Sequence, residues 1–267
     1  MGVLAGRWLR LYTYTVLLLL YIPILVMFLY SFDKSFYAST WEGFTTRWYR
    51  LMLRDTRLYA AMANSITVAL ASAVVSVLLA LPASRLGRSR VKRVIEASAI
   101  PPVVMPDIAE AVSLLLLLIA LGFTFGWTTV FIGHTAFNIA YAYLTLSPMS
   151  GDVRRYEEAA RSLGAGRARI LARITIPLLM PGIVAAFMLA FIMSFTDFVK
   201  TLFTKGPGFE TIPILIWNRA RRPGLSEFSS QNALNAVASS MVAVTLLTVL
   251  LYTMLRRYRS RRNLGTG

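Results

Sequence analysis

The stretch YEEAARSLGAG, Tyr156 to Gly166, decides how this chain can be folded, because it is charged and lies between two apolar segments. The flanking segments, 127–148 and 178–198, each contain about 20 mostly apolar residues, which is the length needed to cross a bilayer as a helix. A charged, helix-favouring stretch between two such segments belongs in water. The sequence therefore predicts a helical loop at the membrane surface, and the remaining sequence must indicate on which side.

The overall composition favours a membrane protein. The chain has 267 residues, of which 57% are hydrophobic, and it contains no cysteine. This apolar excess is too large for one soluble core. The net charge of +16 could suggest nucleic-acid binding in a soluble protein, but here the basic residues lie between the apolar segments. We therefore expect contact with membrane lipid and no nucleic acid.

Six transmembrane helices are predicted, at 11–31, 62–84, 103–121, 127–148, 178–198 and 234–255. The first segment is longer than the apolar region of a signal peptide and is interpreted as a retained span. Pro101, Pro102 and Pro106 predict a bend at the membrane interface before the third span. We divide the chain into a first helix with its outer loop (1–60), a core of five spans (61–256) and a basic cytoplasmic tail (257–267).

The distribution of basic residues predicts the orientation. With both termini inside, 18 of the 28 Lys and Arg residues lie on the inner side. The positive-inside rule then places both termini in the cytoplasm of a plasma-membrane protein. On the outer side, residues 47–58 mix arginines with aromatic and aliphatic residues, which predicts an amphipathic helix in the interface.

The opening stretch then falls in a cytoplasmic loop, 150–176. A helix is predicted to start at Ser150 or Asp152 and to stop at Gly164, with Glu157 and Arg161 as an i, i+4 ion pair. Its apolar stripe comprises Val153, Tyr156, Ala160 and Leu163. A second short helix is predicted at 167–174, ended by Pro177. Such a pair of helices could dock a soluble partner or lie as a basic loop on lipid headgroups.

The loop resembles a known signature. Glu158-Ala159-Ala160, then Gly164, then Ile174-Thr175-Ile176-Pro177 are similar in spacing to the EAA motif of permease subunits of binding-protein-dependent ABC importers, with Ile176 where that motif has leucine. The resemblance extends over about residues 60–255. SFTDFVKTLFTKGPGFETIPILIW and SSQNALNAVASS are most similar to the spermidine/putrescine-type branch.

The resemblance implies an all-α membrane protein with the type I ABC importer permease fold and cytoplasmic coupling helices. It implies three kinds of protein partner: cytoplasmic ABC ATPase subunits, a second permease subunit in a homo- or heterodimer, and an extracytoplasmic solute-binding protein. The ATPase-docking residues would be Glu157, Glu158, Ala159, Ala160, Arg161, Leu163 and Gly164, with Ile174 and Pro177 ending the motif. The chain would not be an enzyme and would carry no cofactor, since ATP binds to the partner; no lysine here lies in a phosphate-binding G-x-x-x-x-G-K-[ST] loop.

Four polar residues in or near the spans are further candidates. Asp197, near the outer end of the fifth span, either contacts substrate along the path or is a polar helix end. Asp107 and Glu110 are interpreted as capping a helix on the cytoplasmic side, far from Asp197. His134 is expected to be a packed, hydrogen-bonded residue.

Other functions are less well supported by the sequence. A membrane hydrolase would need a nucleophile motif that is absent, such as G-x-S-x-G. An ion-coupled secondary transporter is the alternative, and ATP-dependent transport would exclude it. The cargo is expected to be a polyamine or a similar small solute. The outer arginines Arg219, Arg221 and Arg222 would not attract a polycation, so anionic or metal-complex cargo is also considered.

Overall fold

The computed structural model describes residues 2–86 and 90–264, and the surroundings of side chains within 8–86 and 90–254. The predicted basic tail, 257–267, and Arg88 fall outside the part in which side chains are described. The helices in chain order are α1 (Gly2–Tyr30), α2 (Arg47–Met52), α3 (Thr56–Ser84), α4 (Arg90–Ala99), α5 (Pro101–Val104), α6 (Asp107–Ala120), α7 (Trp127–Ser162), α8 (Arg167–Ile170), α9 (Ile176–Phe195), α10 (Val199–Thr204), α11 (Ile212–Ala220) and α12 (Gln231–Leu264). Extended pairing within these ranges is limited to an isolated bridge between Asp33 and Phe44.

The long helices account for most of the predicted spans. Within the described residues, four segments are long and apolar enough to cross a membrane: Trp8–Tyr30, Thr56–Ser84, Arg167–Phe195 and Gln231–Met254. The bent pair α4–α5 and α6 gives a fifth if it is one span. The first part of α7 is long enough but more polar, since it carries His134 and Asn138. The all-α membrane fold is confirmed, and six spans are compatible with it.

The proline-rich stretch forms the bend that the sequence predicts. The direction of the chain changes by 115° between the segment ending at Val104 and α6. Met105 is extended, as expected of a residue that precedes proline. With 14 residues, α6 is about 21 Å long, shorter than the roughly 30 Å hydrocarbon core. The bend therefore places Asp107, the first residue of α6, where other helices can contact it.

The chain divides into two units, the first formed by Met1–Leu58 with Ile216–Val244. Trp48 is buried in this unit against Ala233 and Ala236. Its indole Nε1 donates to the carbonyl oxygen of Asp33 at 2.6 Å, and Asn232 Nδ2 donates to the same oxygen at 3.3 Å. These hydrogen bonds join the loop after α1 to α2 and α12.

The structure differs from the amphipathic helix predicted over 47–58 in two respects. First, α2 ends at Met52, and α3 begins at Thr56 because the Asp55 carboxylate caps it, accepting from the backbone N–H of Leu58 at 3.1 Å. Second, the Trp48 side chain is buried inside the unit. The pattern of alternating arginine and aromatic residues reflects local packing.

The second unit comprises Tyr59–Leu215 with Thr245–Gly267, and its centre is the packing of α7 on α9. Buried Asn138 of α7 donates through Nδ2 to Ser72 Oγ at 2.9 Å and to the carbonyl oxygen of Ala190 at 3.1 Å. One amide group thus links α3, α7 and α9. Short α10 packs on α6 and α7. This arrangement brings the polar residues of four helices together.

Candidate functional site

The helix that carries the opening stretch is the end of a much longer helix. We expected a start at Ser150 or Asp152, but α7 runs without interruption from Trp127 to Ser162, through Pro148. Proline removes one backbone donor, and tertiary contacts can hold the helix together there. Ser150 supplies such a contact, since its buried hydroxyl lies 2.9 Å from Ser84 Oγ of α3 and donates to the Leu146 carbonyl.

Gly164 ends α7, as predicted. Its φ of +81° is in the left-handed region that favours glycine. The N–H of Gly164 donates to the carbonyl oxygen of Arg161 at 2.9 Å, and the N–H of Ala165 donates to the carbonyl oxygen of Ala160 at 3.0 Å. These two bonds form the Schellman motif, which satisfies carbonyl groups left free at a helix end.

The second short helix, predicted at 167–174, is the beginning of a longer helix. Arg167–Phe195 is a continuous helical segment in which a π turn occupies Leu171–Thr175. Pro177, expected to end the helix, lies inside it. Because proline has no N–H, it interrupts the α-helical bonding pattern, and the wider π turn lies directly before it. The loop is thus a tight turn between two long helices.

The turn exposes apolar side chains to solvent. Leu163 is 89% exposed and Tyr156 is 61% exposed, whereas of the predicted apolar stripe only Val153 is buried. Half-buried Ala160 adjoins them. We call the exposed set the Leu163 surface; it comprises Tyr156, Glu158, Ala159, Arg161, Leu163 and Gly164. An exposed leucine beside alanines and charges is a feature of protein interaction sites.

Glu157 does not belong to the Leu163 surface, which corrects the expectation drawn from the resemblance. It is buried, and its Oε1 accepts hydrogen bonds from Arg85 NH2 and from Thr175 Oγ1. The exposed i, i+4 ion pair on this part of α7 is Arg154 with Glu158, at 3.6 Å. Glu157 therefore faces the interior, where it joins α7 to the end of α3 and to the π turn.

The surroundings of Glu157 favour its charged form. Burial on its own would raise the pKa, but the hydrogen bonds from Arg85 and Thr175, together with the charges of Arg85 and Arg161, lower the pKa of Glu157 below its ordinary value. The carboxylate is thus held ionised in the folded chain. Sequence reasoning missed Arg85 because it is 72 residues away along the chain.

A second group of charged residues forms where α6 and α10 meet. Lys200 Nζ lies 3.3 Å from Asp107 Oδ1, 3.3 Å from Asp197 Oδ2 and 3.8 Å from Glu110 Oε2. We call these four residues the Lys200 cluster. The ammonium group also lies 5.4 Å from the centre of the Phe137 ring, which adds a cation–π contact.

His134 joins this cluster to the helix packing. Its Nδ1 lies 2.6 Å from Ser194 Oγ, and its Nε2 lies 2.9 Å from Thr201 Oγ1 and 3.3 Å from Asp197 Oδ1. The expectation that His134 is packed and hydrogen-bonded is confirmed. Asp197 Oδ1 also accepts from the backbone N–H of Thr201 at 2.8 Å, which fixes its orientation.

The cluster corrects the interpretation of Asp107 and Glu110. Pro106 occupies the N-cap position of α6 and makes no side-chain capping bond, and both carboxylates point to Lys200. Asp107 and Asp197, expected near opposite membrane faces, are bridged by Lys200. The helix bend before α6 and the break after α9 bring them together. The sequence did contain a signal for the ion pair between Asp197 and Lys200, because a lysine follows an aspartate by three residues in an apolar segment.

A separate cavity of about 730 Å³ lies within the first unit. Its lining includes several arginines, among them Arg221 and Arg222. Arg219 NH1 forms an ion pair with Asp55 Oδ2 at 2.6 Å, and its guanidinium lies over the Phe228 ring. The cavity is thus positively charged, in keeping with the outer arginines Arg219, Arg221 and Arg222 noted in the sequence.

Comparison with known proteins relates this architecture to transporters. Residues 72–263 match the family described as binding-protein-dependent transport system inner membrane component. The chain is 36% identical over 213 residues to the putrescine transport system permease protein PotI of Escherichia coli K12, covering 76% of each chain. It is 34% identical over 250 residues to the spermidine/putrescine transport system permease protein PotC of the same strain, covering 92% of each.

Solved structures show the same fold. A bacterial ABC transporter involved in the import of the acidic polysaccharide alginate contains a chain that superposes with a TM-score of 0.70 at 18% identity, covering 96% of both chains. The MetNI methionine ABC transporter contains one with a TM-score of 0.58 at 16% identity, covering 80% of this chain and 98% of the other. With the matched region spanning most of the sequence, the chain belongs to the family of binding-protein-dependent transport system inner membrane components.

Proposed function

We propose that this ABC importer permease binds a separate ATPase subunit through the Leu163 surface and passes the motion of that subunit to the membrane helices. The observation that carries the proposal is the 89% exposure of Leu163 at the end of a 36-residue helix. A leucine in this position has no packing role within the described chain, and it would contribute binding energy if a partner covered it.

The neighbouring residues suit such an interface. Ala159 and Ala160 permit close approach of another chain, and the exposed Glu158 carboxylate can accept hydrogen bonds from a partner arginine. Gly164 lets the chain turn tightly, so that the surface protrudes. Ile174 and Pro177 lie on the returning helix, where they complete the motif.

The helices that meet at the turn provide the mechanical link. Since α7 continues from the turn into the membrane region, a displacement of Leu163 moves a rigid helix as a whole. The returning segment, Arg167–Phe195, includes α9, so a displacement at the turn moves α9 as well. Glu157 joins both of them to α3 through Arg85 and Thr175. ATP binding and hydrolysis in the partner would thereby open and close the solute path, along which Asp197 lies.

Family membership supports a proposal for the assembly. We infer a plasma-membrane complex with both termini cytoplasmic, two ATPase subunits, a second permease subunit that is identical or related, and an extracytoplasmic solute-binding protein. Bound ATP belongs to the partner, and this chain carries out no catalysis. The printed functions of PotI and PotC support a polyamine or similar small solute as cargo. An ion-coupled secondary transporter is disfavoured by the family membership.

Co-purification tests the docking surface. We expect Leu163→Asp to reduce recovery of the ABC ATPase partner by at least about tenfold, because a leucine that the proposed interface buries is replaced by an unpaired charge. Leu225→Asp is the matched control, since Leu225 is also highly exposed, at 75%, but lies outside the Leu163 surface. Equal ATPase recovery with the two variants would contradict the proposal.

A further inference from the structure

We propose that the positively charged cavity of the first unit binds the phosphate group of an organic phosphate ester, either a lipid headgroup or a soluble molecule. The residues that line it include four arginines and, within the described chain, one carboxylate: Arg57, Arg219, Arg221, Arg222 and Asp55. Arginine recognises phosphate well because its planar guanidinium group donates two parallel hydrogen bonds to a pair of oxygens. The composition of the cavity therefore indicates an anionic ligand.

Two of the guanidinium groups are held in place without a ligand. Besides its ion pair with Asp55, the Arg219 guanidinium lies 5.3 Å from the centre of the Phe228 ring. The Arg221 guanidinium lies 5.4 Å from the centre of the Trp217 ring. A guanidinium over an aromatic ring keeps N–H donors at its edges. Because these side chains are already ordered, an anion would bind with a smaller loss of side-chain entropy.

The cavity has more positive charge than its carboxylate neutralises. Asp55 is already engaged, because Oδ2 pairs with Arg219 and Oδ1 accepts from the Leu58 N–H at the start of α3. Within the described residues, neither Arg221 nor Arg222 forms an ion pair with a carboxylate. One guanidinium satisfies both oxygens of a carboxylate, whereas a phosphate group has more charge and more acceptor oxygens. Several unneutralised arginines at one site therefore suit a phosphate.

The size and position of the cavity indicate a phosphate that carries an organic substituent. Its volume of about 730 Å³ lies in the range of small-molecule sites and exceeds what an inorganic phosphate ion fills. Leu225, which lines the cavity and is highly exposed, offers apolar surface to such a substituent. Because α3 is long and apolar enough to cross a membrane and begins at Thr56, the adjoining cavity is expected near the level of the lipid headgroups.

Thermal unfolding of the full-length chain, delipidated in nonionic detergent, tests this site without any ATPase or transport. The probes are dihexanoyl phosphatidylglycerol and, as a soluble ester, glycerol phosphate. We expect at least one of them to raise the unfolding midpoint of the wild type, with an apparent dissociation constant at least about tenfold higher in Arg221→Gln/Arg222→Gln, since charge-assisted hydrogen bonds are lost. The matched control is Arg50→Gln/Arg54→Gln, which removes the same charge from exposed arginines of the same unit outside the cavity lining. Its response should equal that of the wild type.

The two probes also distinguish the source of the phosphate. A response to phosphatidylglycerol alone assigns a lipid headgroup, and a response to glycerol phosphate assigns an ester that needs no acyl chain; both support the site. Dihexanoylglycerol, which lacks the phosphate, should have no effect. If the double variant does not accumulate, Arg222→Gln is measured in its place, because within the described residues the Arg222 side chain forms no hydrogen bond or ion pair.

Three results would overturn the site. The first is a wild type that responds to neither phosphate probe, and the second is an equal response of wild type and variant. The third is an unchanged phosphate response combined with weaker capture of the solute-binding protein, which would assign these arginines to protein docking. ATPase docking at the Leu163 surface would be unaffected by any of them, since that surface belongs to the second unit.

Discussion

At the scale of single residues, Glu157 is a buried charge whose contribution can be measured. Replacing it with alanine leaves Arg85 without its buried partner, and we expect a loss of about 3 kcal/mol in the free energy of unfolding. Glu158→Ala is the control, since Glu158 is exposed and pairs weakly with Arg154; its loss should stay below about 0.5 kcal/mol. Denaturant unfolding in detergent measures both, and similar losses for the two variants would contradict the assignment.

The same residue predicts a pH dependence. Since the pKa of Glu157 is lowered on folding from its ordinary value of 4.5, its stabilising contribution is complete above that pH. The contribution is lost as the pH falls through the lower pKa of the folded state. We therefore expect the stability difference between wild type and Glu157→Gln to shrink below about pH 4.5. A difference that grew on acidification would show that Glu157 is not held ionised.

Glycine should be required at position 164 because of the backbone conformation there, and not because a larger side chain would lack space. None of the described residues has an atom within 4 Å of a Cβ added at Gly164, but the φ of +81° is unfavourable for alanine. Gly164→Ala should destabilise the turn by about 1 to 2 kcal/mol. Gly166 provides the control, because its φ of −68° suits any residue; Gly166→Ala changes only the N-cap of α8 and should cost less than Gly164→Ala. Hydrogen exchange at the end of α7 measures the local opening, and equal exchange in both variants would contradict this explanation.

How far these residues could be predicted depends on the sequence separation of their partners. The stop at Gly164 was predictable, because a Schellman turn uses neighbouring residues. The burial of Glu157 was not, since its partners lie in α3 and in the π turn. The ion pairs of Lys200 were not predicted, because one of its partners, Asp107, lies 93 residues away along the chain.

At the scale of elements, close backbone approach fixes the loop after α10. A Cβ on Gly206 would overlap the carbonyl oxygen of Phe125, a backbone atom that cannot move aside. A Cβ on Gly182 of α9 would meet the end of the Met149 side chain, which can change rotamer. Gly206→Ala should therefore cost about 3 kcal/mol or prevent folding, and Gly182→Ala should cost less than about 1 kcal/mol. The unfolding midpoints in detergent distinguish them, and the opposite ranking would be incompatible with this packing.

Element boundaries were less predictable than element types. The apolar segments identified the long helices, since hydropathy over 20 residues is a strong signal. However, α7 continues through Pro148, and the returning helix continues through Pro177. Whether proline ends a helix depends on the contacts that hold its neighbours, such as the hydrogen bond between Ser84 and Ser150, and these contacts are not visible in local sequence.

At the scale of the whole molecule, the proposed orientation can be tested with single thiols, because the chain contains no cysteine. Both Leu163→Cys and Leu225→Cys place the thiol at a highly exposed position. In intact cells without the ATPase partner, a membrane-impermeant maleimide should label Leu225→Cys and should label Leu163→Cys only after the membrane is opened. The reverse pattern would place both termini outside.

The central claim is that ATP hydrolysis by a partner drives solute movement through this permease by way of the Leu163 surface. It is tested most directly by uptake of putrescine and other small solutes into proteoliposomes that contain the complete importer. We predict uptake that requires ATP, is independent of ion gradients and is abolished by Glu158→Lys, which should leave the unfolding midpoint of the chain unchanged. Uptake driven by an ion gradient without ATP, or undiminished uptake by a well-folded Glu158→Lys importer, would contradict the account.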